Sequence, residues 1–164
     1  MNRKIKNIIN ITAFLACIGL INIAGQNIEI EIRGMNAFTF ILIVAVLLQI
    51  IFFIPSFLLK TEKYYDLVGS LTYIATVSLA YFSVENKTMI DSIIYFYVMI
   101  WASRLGIYLF TRVRNVGKDV RFEKAKRHFF YFLQYWMGQA LWVSLTACAA
   151  IIAILSPEED TLPV

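Results

Sequence analysis

The chain has 164 residues, 60% of them hydrophobic and only 16% charged, with a mean hydropathy of +0.69. That composition excludes an ordinary soluble domain, and the length leaves no room for a sizeable one beside a single bundle of membrane helices. The net charge of +4 would suggest nucleic acid in a soluble protein, but here the charges sit at the ends of apolar segments, so they report topology and speak against nucleic acid.

The apolar runs predict an all-α integral membrane bundle of about five transmembrane helices, a single domain over residues 1–164, with spans at about 8–25, 36–59, 66–83, 92–111 and 129–155. The first run follows Arg3, Lys4 and Lys6 and could be a signal peptide. It lacks a clean small-x-small cleavage site, and its length favours an uncleaved span. A short polar loop with Glu29, Glu31 and Arg33 leads to the second span, whose one strongly polar residue is Gln49 and whose end carries Pro55. The third span is punctuated by Gly69, Ser70, Thr72, Tyr73, Thr76 and Ser78. Asp66, Ser70, Tyr73 and Thr76 recur at helical spacing and should face the bundle interior. The fourth span places Tyr97, Trp101, Arg104 and Tyr108 on one stripe. A basic loop at 112–128 precedes the fifth span, in which Gln134 and Gln139 suit hydrogen bonding between helices.

The charge partition fixes the expected orientation. Twelve of the fifteen Lys and Arg residues fall in the N-terminal segment, the turn at Lys60 and Lys63, and the basic loop. Arg33 and Lys87 fall on the other side. By the positive-inside bias, the N-terminus is expected in the cytoplasm and the C-terminus outside. The abundance of Ile, Asn and Lys suggests a bacterial inner membrane.

Few residues can carry chemistry. Arg104 is costly at hydrocarbon depth, so it either lines a polar cavity, where it could hold a carboxylate, phosphate or polarised carbonyl, or is paired internally, most naturally with Asp66, or snorkels between helices. Asp66 opens its helix, where the helix dipole alone would favour an acid. The glycine-led segment from Gly117 to Phe122 is a weak phosphate cradle, a contact for anionic lipid, or simply an orienting charge cluster. The aromatic residues of the fourth and fifth spans, among them Tyr131, Tyr135, Trp136 and Trp142, read as packing and interface groups or as walls for a flat lipophilic molecule. Cys17 and Cys148 lie in apolar segments and are expected to act as small buried hydrophobes. His128 is the single histidine, and with no Cys-x-x-Cys spacing neither a structural zinc site nor a bis-histidine haem is expected.

Phe53-Ile54-Pro55-Ser56-Phe57 and Lys60 to Tyr73, then Trp101-Ala102-Ser103-Arg104-Leu105-Gly106, then Gly117 to Phe122, then Gln139 to Val143, stand in the order of the signatures of one family. Over about residues 47–146 the chain resembles the uncharacterised, domain-of-unknown-function branch of the steroid 5-alpha-reductase-like membrane proteins, in its N-terminal half. The resemblance implies a multi-pass scaffold of NADPH-dependent reductases acting on a C=C bond of a lipophilic enone. It puts catalytic candidates at Asp66, Tyr73 and Arg104 and cofactor-binding candidates at Gly117, Asp119 and Arg121. Such proteins continue into a second half with an Arg-His-Pro-Asn-Tyr-like block, whereas this chain ends at Val164. The implied reading is therefore a bundle incomplete for catalysis by itself, completed by a membrane partner chain. The alternative is a non-enzymatic accessory or lipid-binding protein on the same scaffold, embedded in the bilayer with no metal.

Overall fold

The computed structural model describes residues 3–116 and 122–156, and it is an all-α bundle of five long helices. They are α1 (Arg3–Ile23), α2 (Ala37–Leu58), α3 (Tyr65–Ser83), α4 (Met89–Val116) and α5 (Phe129–Leu155). Four of them, all but α3, are long and apolar enough to cross a membrane. The predicted segments recur with two corrections. α1 already includes Arg3, Lys4 and Lys6, because Lys and Arg are good helix formers that extend an apolar helix beyond the hydrocarbon. α4 is longer at both ends than expected and takes Arg112 and Arg114 out of the basic loop into its last turns.

Between α1 and α2 the polar loop contains a two-stranded hairpin, β1 (Glu31–Ile32) against β2 (Met35–Asn36). Its turn residues Arg33 (φ 55°) and Gly34 (φ 75°) both take the left-handed conformation that two-residue hairpin turns favour. Asn36 then anchors the connection. Its side chain accepts from the Thr39 N–H (3.0 Å) as the cap of α2 and donates to the carbonyls of Gly25 (3.1 Å) and Ile28 (2.7 Å).

Side-chain pairs give the relative directions of the helices. Arg3 lies over Tyr131 and Asn10 bonds Gln134, so α1 and α5 run parallel. Tyr65 reaches the carbonyl of Tyr135 and Tyr73 reaches Thr146, so α3 runs parallel to α5 as well. α2 and α4 run the other way: Gln49 meets Thr72, Tyr81 meets Ser92, and Trp101 meets Tyr73. The bundle therefore alternates strictly, and α3 crosses the same layer as its neighbours. At ~1.5 Å per residue its 19 residues reach about 28 Å, close to the hydrocarbon thickness of a bilayer. α3 is also the central helix, packed against α2, α4 and α5.

Two buried clusters fill the bundle. One joins Phe38, Ile41, Tyr73, Val77, Ala102, Ala140, Val143 and Ile151 across all the long helices. The other lies toward the basic end, where Phe53, Val68, Phe132, Trp136 and Phe122 interlock. Phe122 arrives from the loop after α4 and packs on Tyr65 (4.8 Å between ring centroids) and Tyr135 (5.0 Å). Lys126 locks the same loop down through a 2.7 Å ion pair with Glu62, whose side chain is 4% exposed. The cysteines depart from expectation: Cys17 is exposed on the outside of α1 and Cys148 is half-buried, and both are free thiols.

Candidate functional site

The polar face of α3 looks into the bundle as its periodicity predicts: Gly69, Ser70, Thr72, Tyr73 and Thr76 are all buried. Its neighbours approach closely. A Cβ at Gly106 of α4 would lie 2.9 Å from the Ser70 Cβ, and a Cβ at Gly69 would collide with the Gln139 carboxamide of α5. The glycines and Gln139 that carry the family resemblance thus set helix-to-helix spacing, as small residues do in membrane bundles.

Tyr73 is 5% exposed. Its hydroxyl meets Thr146 Oγ1, which spends its own proton on the carbonyl of Trp142 (2.7 Å), so the phenol donates and the threonine accepts. Trp101 closes the edge of the ring at 4.9 Å. Tyr73 is committed to interhelical bonding.

Asp66 lies in the first turn of α3, half-buried, with its carboxylate 3.6 Å from the Arg112 guanidinium. This corrects the expected Asp66–Arg104 pair. α3 and α4 are antiparallel with Ser70 beside Gly106, so the residues level with Asp66 lie two turns beyond Arg104.

Arg104 is the larger correction. It is exposed on the outer side of α4, in an open groove of about 770 Å³ lined by Met99, Ile100, Ser103, Ile107, Tyr108 and Thr111, and has no partner among the described residues. The stripe of Tyr97, Trp101, Arg104 and Tyr108 exists, but it faces outward: Tyr97 is 72% and Tyr108 63% exposed. The inward face of α4 is the small-residue side, with Ala102 and Gly106.

The three catalytic candidates do not converge. Asp66 and Tyr73 are two turns apart along α3, about 10 Å, and Arg104 points away from both. The cofactor-binding candidates Gly117, Asp119 and Arg121 lie outside the described residues. Tyr73 is 5% exposed with its hydroxyl bonded to Thr146, and the open groove of α4 presents Arg104 among mostly apolar side chains. No group of three potential metal ligands gathers among the described residues.

The sequence reading named several polar residues of the spans without their partners. Gln49 Nε2 donates to Thr72 Oγ1 (2.9 Å) at the centre of the bundle, and Asn10 donates to Gln134 Oε1 (3.1 Å), the interhelical role expected for that glutamine. Buried and without a hydrogen-bond partner among the described residues are Gln49 Oε1, Trp136 Nε1, Gln139 Oε1 and Ser144 Oγ. The available signal was chemical: a polar group in an apolar helix must find a partner across the interface.

The fold and these contacts define a multi-pass membrane protein, an alternating bundle with one strongly basic end and a single mid-helix arginine on its outer surface. A family model described as a protein of unknown function (DUF1295) matches residues 52–164, and the chain belongs to that family. Comparison with curated proteins and with solved structures finds no match.

Proposed function

We propose that this protein is a membrane scaffold that acts only after a second set of membrane helices docks on the outer face of α4. In this reading it corresponds to the N-terminal half of a steroid 5-alpha-reductase-like, NADPH-dependent reductase of lipophilic enones. The partner supplies the cofactor surface, and Gly117, Asp119 and Arg121 contribute from the basic side. The carrying observation is Arg104. It stands about 22 Å along α4 from Met89 and about 18 Å from Val116, exposed and unpaired among the described residues. A guanidinium at that depth against lipid costs on the order of 3 kcal/mol or more, which a carboxylate or phosphate brought by the partner would offset. By the positive-inside bias the basic end faces the cytoplasm of a bacterial inner membrane, where the nucleotide is found.

The second reading is a non-enzymatic accessory or lipid-binding protein, with no nucleotide. The sealed state of Tyr73 favours it, as does the largely apolar groove between α1 and α2, where Ile18, Leu42, Ile43, Val46 and Leu47 stand with Asn22 and Thr39.

One titration separates them. NADPH is added to the detergent-purified chain, alone and co-expressed with a membrane segment carrying the Arg-His-Pro-Asn-Tyr-like block, and tryptophan fluorescence is followed. The first reading expects saturable quenching with the partner that Arg104→Ala abolishes. No binding in either state, up to millimolar cofactor, rejects it in favour of the accessory reading.

A further inference from the structure

α1 and α5 run parallel and start at the same level, so their N-termini lie side by side at the basic end. Between them is a cleft of about 410 Å³. We propose that it binds the phosphate of an anionic phospholipid, a role independent of any reductase activity.

Four features make the cleft a phosphate site. Arg3 and Arg127 contribute guanidinium groups, and neither has a carboxylate partner among the described residues. Arg3 is held in place, its guanidinium 4.5 Å from the centroid of the Tyr131 ring. The wall of the cleft on the α5 side is Phe129, Phe130 and Tyr131, the first turn of a 27-residue helix, and no side chain caps it. Its free backbone N–H groups and the helix dipole both favour an anion. The fourth feature is Asn7, one turn into α1. It is 7% exposed and lines the cleft, and its carboxamide has no hydrogen-bond partner among the described residues. Its amide atoms remain accessible from the cleft, and an anionic oxygen seated there would accept from the carboxamide. Among the described residues, no acidic side chain lines the site.

The surroundings choose the lipid over a soluble phosphate. The cleft lies where the charged turns of α1 give way to its apolar run, and its α5 wall is aromatic, Phe129, Phe130 and Tyr131, with Phe129 about half exposed. A phosphate esterified to glycerol would keep its acyl chains along these side chains, whereas an inorganic ion would leave them uncovered. Clustered basic groups beside a span attract anionic lipid by roughly 1 kcal/mol each, about fivefold in affinity.

The test is native mass spectrometry of the delipidated full chain, titrated with phosphatidylglycerol or phosphatidylcholine of identical acyl chains. The wild type should bind phosphatidylglycerol at least tenfold more tightly. The double variant Arg3→Ala/Arg127→Ala should lose roughly thirtyfold in phosphatidylglycerol affinity, while Lys63→Ala/Arg114→Ala, at the separate basic cleft between α3 and α4, should keep it. Asn7→Leu, which retains both arginines, should weaken binding roughly tenfold. Equal lipid preference in all the variants overturns the proposal, as does equal loss in the Lys63/Arg114 variant, which would mean diffuse attraction to the basic end. Binding of glycerol 3-phosphate as tight as that of the lipid overturns the choice of ligand.

Discussion

Two glycines in apolar helices show how much each position depends on its neighbours. Nothing lies within 4 Å of a Cβ built on Gly19, whereas at Gly106 the Ser70 Cβ is 2.9 Å away and belongs to a side chain too short to yield. Gly106→Ala should therefore cost about 1–3 kcal/mol by pushing α4 off α3. Gly19→Ala should be neutral or stabilise by roughly 0.5–1 kcal/mol, since only the backbone freedom of the unfolded chain changes. Equilibrium unfolding in mixed micelles measures both, and equal effects would contradict the tight α3–α4 approach. A second contrast concerns the basic loop. Lys126→Ala removes a 2.7 Å partner from the Glu62 carboxylate, which is 4% exposed, and should cost about 1–3 kcal/mol. Adding Glu62→Gln removes the buried charge that Lys126 neutralised and should recover part of that loss. If the double variant is no more stable than Lys126→Ala, the pair is not what secures the loop. Neither pair was legible beforehand, because 64 residues separate Glu62 from Lys126 and helical periodicity says nothing about contacts at that range.

At the level of elements, hydropathy located the helices well because each is one continuous apolar run, and α5 matches its expected bounds of 129–155. It failed at the ends of α1 and α4, where charged residues continue the helix beyond the hydrocarbon. The orientation of α4 was less readable still. Spacing placed Tyr97, Trp101, Arg104 and Tyr108 on one stripe, but both sides of the helix are apolar, and the period alone cannot say which side is inward. Ala102 and Gly106 held the answer, since small residues let helices approach. Because Arg104 makes no hydrogen bond or ion pair among the described residues, Arg104→Leu should leave the stability of the isolated chain unchanged within about 0.5 kcal/mol, or raise it. The same variant should prevent assembly with the proposed partner. Destabilisation by more than about 2 kcal/mol would place Arg104 in an internal network and remove the main argument for a docking face.

The alternating directions of the five helices put charge at two distinct ends of the molecule. Among the described residues, Arg3, Lys4, Lys6, Lys60, Lys63, Arg112, Arg114, Lys124, Lys126 and Arg127 collect at one end, with Arg33 and Lys87 at the other. This is the partition expected from the sequence, and it depends on α3, the least apolar helix, crossing the bilayer. If α3 lay along the surface, Lys63 and Glu85 would emerge on the same side; if it crosses, they lie on opposite sides. Single cysteines at these positions, in a background with Cys17 and Cys148 replaced by serine, distinguish the cases by labelling with a membrane-impermeant maleimide. In right-side-out vesicles Glu85→Cys should react and Lys63→Cys should not, and inverted vesicles should exchange the two. Labelling of both from one side would show that α3 does not span. The exchanged pattern would keep the five crossings but put the basic end outside, away from cytoplasmic NADPH and from the anionic leaflet that the lipid cleft would draw on.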